Sequence, residues 1–410
     1  MASARESAAG IAPPEAALHA PQYRRALAGF FLSGVLCSFL GAILPLWRHH
    51  LHEDFVVVGN YFLSLNLGIL AGAAAAAWVL PRKGISFLLV TGTSVACGAF
   101  LWLALAPPAA GPWWRMLGIL LLGCGAGPLH TGVFHAVSPS YRHDAAATIV
   151  LAGTFFGLGS MVTALLVAGT FNVYTVPSIL IFLALIPGYF VVVYARTASP
   201  KSAGLRHPSL RQVLQDFRSP SAVLLTLVLF FQFGNEWSIA GWLALFLIQR
   251  LGVSPETSLV LLALYWLALL VGRIAALLVL PRMSHARWLL VSVLAAILGC
   301  AMLLSTDNRF GATAGILLVG AGFAPIYPLV VEKIGGRFPD YHPGLFNGLF
   351  SCALTGGLLA PWSLGFFTSL WGVKVVMWLP LLGTLMVLLL LSLLWAETKL
   401  TGAKEYGMSG

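Results

Sequence analysis

The sequence predicts an all-α integral membrane protein with twelve transmembrane helices. Of its 410 residues, 59% are hydrophobic and only 9% are charged, whereas an ordinary soluble domain has about 45–50% apolar and about 25% charged residues. So few ionic side chains cannot cover a soluble particle of this length, but a lipid bilayer faces apolar side chains without cost. Apolar runs of about 20 residues, the length that crosses a bilayer, recur along the chain. The composition therefore excludes a soluble globular protein.

Six apolar runs fill the first half of the chain. Arg24 and Arg25 precede the first run, and charged residues, prolines or glycines separate the others. Helices in membranes end where such residues reach the interface. Spans are therefore predicted at 26–47, 55–80, 85–106, 113–137, 146–168 and 176–194.

Six further runs fill the second half. A polar stretch at 195–220 precedes them, and short segments with charge, proline or glycine again divide them. Spans are predicted at 222–249, 259–280, 288–304, 312–331, 345–369 and 373–395. The predicted organisation is two six-helix bundles with short polar segments around them. These parts are a cytoplasmic tail at 1–25, a bundle at 26–194, a cytoplasmic linker at 195–221, a bundle at 222–395 and a cytoplasmic tail at 396–410.

Lysine and arginine set the predicted orientation, because basic loops are retained on the cytoplasmic side during insertion. With both termini inside, 17 of the 23 basic residues fall in cytoplasmic segments and four in outer loops, while Arg115 and Arg273 lie within spans. This topology explains the net charge of +10, and because the basic residues are spread over seven segments we expect no nucleic-acid partner. We expect a multi-pass protein of the cell membrane (inner or plasma), surrounded by lipid and functional as a monomer.

The two halves of the sequence are related by a fixed offset of 200 residues. Gly34 and Gly41 align with Gly234 and Gly241 without a gap. At the same offset, eight of thirteen positions agree between 70–82 and 270–282, including a shared Leu-Pro-Arg. The repeat indicates a duplicated six-helix unit.

Two parallel six-helix halves joined by a basic cytoplasmic loop resemble the major facilitator superfamily over essentially the whole chain. The resemblance implies the major facilitator fold, with a substrate held near the membrane midplane between the halves. One signature departs from the family: its loop between the second and third spans carries an Asp, and the corresponding segment 81–84 has none. A gating charge pair built on that acid is therefore not expected.

Three segments are similar to the fucose permease-like sugar:cation symporters. They lie at 234–242 in the seventh span, 155–160 in the fifth, and 346–350 with Gly356 and Gly357 in the eleventh. The resemblance implies inward transport of a monosaccharide driven by an H+ or Na+ gradient. Fucose permeases have functional acids in the first and fourth spans, and this chain has none there. The coupling ion therefore stays open.

Glu236 is the single acidic residue inside a predicted span, at the midpoint of 222–249. A charge there costs about 2.5–3.5 kcal/mol on insertion scales, so intramembrane acids are functional by default. Gln232, Asn235 and Glu236 stand at positions i, i+3 and i+4 and are expected to share one helical face, which predicts a polar stripe directed at a cavity. Glu236 has three interpretations: a proton or Na+ coupling site, an acceptor for sugar hydroxyls, or a structural carboxyl bonded to neighbouring helices.

Further candidates for sugar contact have amide or aromatic side chains. Amides bond hydroxyl groups in pairs, and flat rings cover the C–H faces of a sugar. Interhelical hydrogen bonds and core packing are the alternatives for each of them. The predicted binding residues, besides Glu236, Asn235 and Gln232, are Asn66, Trp242, Tyr265, Trp266, Tyr327, Asn347 and His130. His130 is also a candidate proton relay, and Asn60 and Trp362 are weaker candidates.

We also predict structural roles for four other features of the sequence. Arg115, near the outer end of the fourth span, is expected to reach lipid headgroups, with a cavity cation as the alternative. His135 is expected to be structural. The pairs Gly153 with Gly157 and Gly344 with Gly348 are expected to let helices pack closely. The histidine-rich outer segment 48–54 matches no zinc spacing and is predicted to be a plain polar loop, with metal sensing as the alternative.

Together these features favour secondary transport. The chain has no phosphate-binding loop motif, no serine nucleophile elbow and no His-Glu-x-x-His helix, so neither an ATP-driven pump nor an enzyme is expected, and no cofactor or metal is predicted. The leading hypothesis is transport of a hexose-like sugar by alternating access, coupled to H+ or Na+. The alternative is proton-coupled export of lipophilic drugs, lipids or other metabolites.

Overall fold

A computed structural model describes residues 21–51, 54–107, 110–143, 145–196, 219–279, 284–337 and 343–401. Within these ranges the chain is helical, with short turns and no strand. The helices are α1 Pro21–Leu51, α2 Phe55–Ala104, α3 Pro112–His143, α4 Ala145–Thr170, α5 Val176–Ala195, α6 Pro220–Leu251, α7 Pro255–Val279, α8 His285–Ser305, α9 Arg309–Phe323, α10 Ile326–Arg337, α11 Pro343–Trp371 and α12 Val375–Thr401. Most of the predicted linker and tails lies outside this description, as do residues 52–53 and the side chains of 48–51 in the segment 48–54.

The helix α2 covers both the second and the third predicted span. Its 50 residues would extend about 75 Å as one straight rod, more than twice the thickness of a bilayer core. At Gly84 the backbone has φ 80 and ψ 176, which a residue without Cβ adopts readily. A methyl group added at Gly68 would lie 2.9 Å from the Gly123 Cα, and one at Gly92 would lie 2.7 Å from the Gly125 carbonyl oxygen. Both parts of α2 therefore pack on one short stretch of α3, so α2 folds back at Gly84.

The tenth predicted span is divided into α9 and α10. The break falls at Ala324 and Pro325, where proline lacks the N–H that would continue the helical ladder. The two helices still follow one another as a single apolar stretch, at Arg309–Ile334. Ten stretches of the described residues are long and apolar enough to cross a membrane; α2 counts as one of them, and α11 is not among them.

The packing of the helices repeats between the two halves of the chain. A methyl group added at Gly125 would lie 2.6 Å from the Ala96 nitrogen, and one added at Gly322 would lie 2.6 Å from the Ala296 nitrogen. Ala96 and Ala296 are 200 residues apart, which is the offset of the sequence repeat. The same helix-to-helix approach therefore occurs in both halves, which supports the duplication.

The halves α1–α5 and α6–α12 meet along an interface that we call the seam. Three helix pairs form most of it: α1 with α6, α2 with α11, and α4 with α7. On the α2–α11 side the two backbones approach closely, since a methyl group at Gly59 would lie 2.7 Å from the Trp362 carbonyl oxygen and 3.0 Å from the Gly365 Cα. We call the end of the bundle where α1 begins the inner end, and the opposite end the outer end.

Candidate functional site

Glu236 and Arg273 form an ion pair in the second half. Glu236 lies midway along α6, and its Oε1 is 3.0 Å from Nη2 of Arg273 on α7. The side chains are 15% and 8% exposed. A buried charge is tolerated when an opposite charge and hydrogen bonds compensate it, so Arg273 offsets the cost of placing Glu236 in an apolar bundle. Arg273 was not among the predicted site residues, although an arginine inside a span is the same signal that identified Glu236.

Arg273 also reaches across the seam. Its Nη1 donates a hydrogen bond of 2.8 Å to the main-chain carbonyl of Gly153 on α4. The guanidinium needs the space that glycine leaves, because a methyl group at Gly153 would lie 3.0 Å from Nη1 and 3.4 Å from Cζ. The carboxylate of one half and the backbone of the other are thus joined through one arginine.

Aromatic rings from both halves surround this connection. Phe156, one turn after Gly153 on α4, lies 6.1 Å from the ring of Trp237 and 6.1 Å from the ring of Trp266, edge to face in both cases. Phe156 and Trp237 were not predicted as site residues, although they lie in the segments 155–160 and 234–242 that are similar to the sugar:cation symporters. Phe156 and Trp237 are partly exposed, so both have surface that a solute can contact.

The predicted polar stripe on α6 is divided between two neighbours. Gln232 is fully buried, lies beside Glu236 and donates a 3.5 Å hydrogen bond to the Phe323 carbonyl. Its Oε1 has no hydrogen-bond partner among the described residues. Asn235 is 2% exposed and donates to the Thr384 hydroxyl on α12 at 3.3 Å. Asn235 therefore does not point with Glu236 at a common cavity: consecutive residues on a helix differ by about 100°, which is enough to reach different helices.

Tyr265 and Trp266 on α7 are buried, with exposures of 0% and 1%. The Tyr265 hydroxyl donates to the main-chain carbonyl of Glu236 at 3.4 Å, so it bonds to the α6 backbone. The Trp266 Nε1 has no hydrogen-bond partner within the described ranges. Tyr265 therefore lies beside Glu236, Trp266 packs against Phe156 and Tyr265, and sugar contact by either stays a prediction.

Trp242 lies in the seam nearer the outer end of α6. It is fully buried, donates to the Pro361 carbonyl on α11 at 2.9 Å, and stacks on Phe62 of α2 at 5.9 Å. Close to it, the Trp362 indole donates to Asn60 Oδ1 at 3.3 Å. In this conformation Trp242 has no face left for a solute, and it closes the outer end of the seam.

The remaining predicted residues lie in separate places. Asn66 donates to the Phe62 carbonyl of its own helix at 2.8 Å. His130 on α3 pairs with the Cys37 sulfur on α1 at 3.7 Å, which places it with the first half rather than beside Glu236. Tyr327 packs edge to face on Phe233 at 5.3 Å. The side chain of Asn347 lies outside the described residues.

The prediction that Arg115 reaches lipid headgroups is wrong. The residue is 7% exposed, its Nη1 donates to the Tyr61 hydroxyl at 3.1 Å, and its guanidinium lies 5.8 Å from the centre of the Trp47 ring. A phenol oxygen and an aromatic face within the bundle provide the partners that water or headgroups would otherwise supply. His135 contacts the Thr131 carbonyl of its own helix at 3.0 Å, in agreement with a structural role.

The glycine pair on α4 has two different environments. Gly153 lies against the side chain of Arg273 at the seam, so the space that it leaves is filled by a guanidinium and not by the backbone of a neighbouring helix. Gly157 is different, because a methyl group there would meet no atom within 4 Å, so its predicted packing role is wrong. The surroundings of Gly344 and Gly348 lie outside the description. Among the described residues, no three His, Cys, Asp or Glu side chains group together to hold a metal ion.

Comparison with known proteins gives a family and a fold. Residues 143–357 match the model of the Major Facilitator Superfamily. The chain is 25% identical over 146 residues to an uncharacterized MFS-type transporter of Yersinia pestis, an alignment that covers 36% of this chain and only 38% of that protein.

Three solved structures share the fold at low identity. The nucleoside transporter NupG has a TM-score of 0.71 at 13% identity, covering 92% of this chain and 99% of that one. The E. coli fucose:proton symporter FucP has 0.62 at 14%, covering 91% and 98%. An inward-facing, unoccupied bacterial homolog of the human lysosomal transporter Spinster has 0.67 at 12%, covering 95% and 98%.

Proposed function

Because the chain belongs to the Major Facilitator Superfamily of membrane transporters, we propose that it moves a neutral, hydroxyl-rich solute of the size of a hexose by alternating access. The solute binds at the seam beside Glu236, Arg273, Trp237 and Phe156. An H+ or Na+ gradient drives accumulation, with Glu236 as the coupling carboxyl. The chain itself is not proposed to be an enzyme.

The observation that carries the proposal is the neutralised charge at the seam. Glu236 is held by Arg273 at 3.0 Å, so the pair offers hydrogen-bond donors and acceptors but little net charge. An uncompensated carboxylate would attract a lipophilic cation, and this pair supplies little such net charge, whereas sugar hydroxyls can bond to both the carboxylate and the guanidinium group. The partly exposed rings of Trp237 and Phe156 match the C–H faces of such a solute. The geometry therefore favours a sugar over the drug-export alternative.

The structural neighbours agree with this chemistry. NupG is a nucleoside transporter and FucP is a fucose:proton symporter. A nucleoside and fucose share a hydroxylated sugar ring, so a ring of this kind is the solute that we propose for this chain. Identities of 13% and 14% support the fold, and the choice of solute rests on the ion pair and its rings.

We also propose the full topology: twelve spans in two bundles, 26–194 and 222–395, with both termini in the cytoplasm of a cell membrane. The fold-back of α2 at Gly84 and the continuity of α9 with α10 favour this count. Cysteines introduced at Arg24 and Arg287 are expected to react with a membrane-impermeant maleimide only after right-side-out vesicles are opened, whereas one at Val173 reacts at once. The reverse pattern would contradict the orientation.

Thermal melting of the purified protein tests the solute class. A ligand that binds the folded state raises the melting temperature, so we expect a monosaccharide or nucleoside to shift it and lipophilic cations to leave it unchanged. Repeating the series with and without Na+, and at several pH values, identifies the coupling ion. A shift produced by lipophilic cations alone would overturn the sugar proposal in favour of export.

Uptake into proteoliposomes tests the role of Glu236. The variant Glu236→Gln keeps the shape of the side chain but cannot exchange a proton or carry the charge that attracts Na+. We expect it to lose uphill accumulation while exchange of solute across the membrane continues. Accumulation at the level of the unmodified protein would remove Glu236 from the coupling step.

A further inference from the structure

Arg273 connects partners on opposite sides of the seam. Its Nη2 is 3.0 Å from Glu236 Oε1 in the second half, and its Nη1 is 2.8 Å from the Gly153 carbonyl oxygen in the first half. A guanidinium is a rigid planar fork, so the partner held by one nitrogen fixes where the other nitrogen points. The carboxylate of Glu236 thus aims Arg273 at the backbone of α4.

We propose that Arg273 is a positioning residue that latches α4 to α7 while Glu236 carries its charge, so that the charge on Glu236 controls whether the inner end of the seam can open. This inference rests on the alternating access of the proposed function. It adds a role for two residues, Arg273 and Gly153, that neither the sequence resemblance nor the comparisons assign.

The latch lies in the inner half of the seam. Gly153 is eight residues from the start of α4 at Ala145, which is about 12 Å along the helix. Arg273 is six residues from the end of α7 at Val279, which is about 9 Å. The close contact of Gly59 with Gly365 and the stack of Phe62 on Trp242 lie towards the other end. Releasing Arg273 therefore frees the inner end and leaves the outer closure intact.

The surroundings of Glu236 explain why its charge matters. Among the described residues, the charged group that faces it is Arg273, and its polar neighbours are Gln232 on α6 and Tyr265 on α7. Cys300 on α8 lies near Tyr265, and α4 presents the Gly153 carbonyl. When Glu236 is neutral, Arg273 keeps its charge in an apolar bundle with only a carbonyl beside it. That state is costly, and it is relieved when the inner end opens and water reaches the guanidinium.

Two glycines on one helix provide a matched test. Alanine at Gly153 places a methyl group 3.0 Å from Nη1 and pushes the fork away from the carbonyl, whereas alanine at Gly157, one turn further along α4, meets nothing within 4 Å. The two variants have the same composition and the same helix propensity. A difference between them therefore isolates the contact with Arg273.

Distances between spin labels give the readout. Labels on genetically encoded residues at the exposed positions Arg24 and Arg287 report on the inner end, and labels at Val173 and Phe310 report on the outer end. In Gly153→Ala we expect the ratio of open to closed inner ends to rise about threefold to about tenfold, because displacing the guanidinium by a few tenths of an ångström weakens the charge-assisted hydrogen bond without removing it. The outer distances should not widen. Gly157→Ala should match the unmodified protein.

Two further variants sharpen the result. Glu236→Gln removes the charge that aims the fork, so it should open the inner end in the same direction. Arg273→Lys keeps a positive charge opposite Glu236 but has no fork to hold both partners, so it should open the inner end as well. Inner distances in Gly153→Ala that equal those in Gly157→Ala would overturn the latch. Because no solute is needed, this outcome is independent of the sugar tests, and a failure of sugar binding would leave the latch standing.

Discussion

The two sides of the seam are closed by different chemistry. On the α4–α7 side, a guanidinium joins a carboxylate of one half to a carbonyl of the other. On the α2–α11 side, the contact of Gly59 with Gly365 brings two backbones together without any charge. Tight apolar packing does not respond to a proton, whereas an ion pair does. A change of charge can therefore act on the α4–α7 side of the seam, whereas the α2–α11 side responds only to the fit of its surfaces.

The largest expected effect comes from removing the arginine alone. Arg273→Met leaves Glu236 without a counter-charge in the apolar bundle, and breaking a buried ion pair in this way costs about 3–5 kcal/mol. We expect a large drop in the melting temperature in detergent and no solute accumulation in proteoliposomes.

The double variant Glu236→Gln with Arg273→Met is the control for that effect. With neither charge present, most of the lost melting temperature should return, while coupled uptake stays absent. If the double variant melts as low as Arg273→Met alone, the instability does not come from the unpaired carboxylate. The role of Arg273 as the counter-charge of Glu236 would then be contradicted.

We expect a smaller effect on transport from a substitution on the α2–α11 side of the seam, where the contact involves no charge. Gly59→Ala places a methyl group 2.7 Å from the Trp362 carbonyl oxygen and 3.0 Å from the Gly365 Cα, so the outer end cannot close fully. We expect a several-fold slower uptake and a wider distance between labels at Val173 and Phe310, with no change in the dependence on the ion gradient.

Gly98 provides the comparison for this variant. It lies on the same helix α2, and a methyl group there would meet no atom within 4 Å. Gly98→Ala should therefore transport at the normal rate. Equal uptake by the Gly59 and Gly98 variants would show that the close approach at Gly59 is not needed for the transport cycle.

The fold was largely predictable because lipid imposes a strong pattern. Runs of about 20 apolar residues mark the helices, and a repeat at a fixed offset marks the two halves. The predicted spans 55–80 and 85–106 leave the break at 81–84, and α2 folds back at Gly84. Pro325 divides the tenth span, although Pro128 in the fourth span lies within the continuous helix α3.

The site was predictable only in part. Glu236 stood out because an acid in a span is rare and costly. Its partner Arg273 carried the same signal, but pairing the two requires knowing that α7 packs beside α6. Asn235 shows the other limit: we predicted it on the face of Glu236, but the turn of about 100° between consecutive residues directs it to α12. Periodicity gives the direction of a side chain from its own helix, and packing decides what lies there.

We expect the smallest effects on the melting temperature from substitutions of two tryptophans at the outer end of the seam. Trp362→Phe removes a 3.3 Å hydrogen bond to Asn60, a residue that is partly exposed and can bond to water instead, so we expect a loss of about 0.5–1.5 kcal/mol at most. Trp242→Phe removes a 2.9 Å bond to Pro361 from a fully buried position and leaves a void beside Phe62. Trp242→Phe should therefore lower the melting temperature more than Trp362→Phe, and both should do so by less than Arg273→Met. The reverse order of the two tryptophans would mean that water already reaches the ring of Trp242, and that the outer end is open in solution.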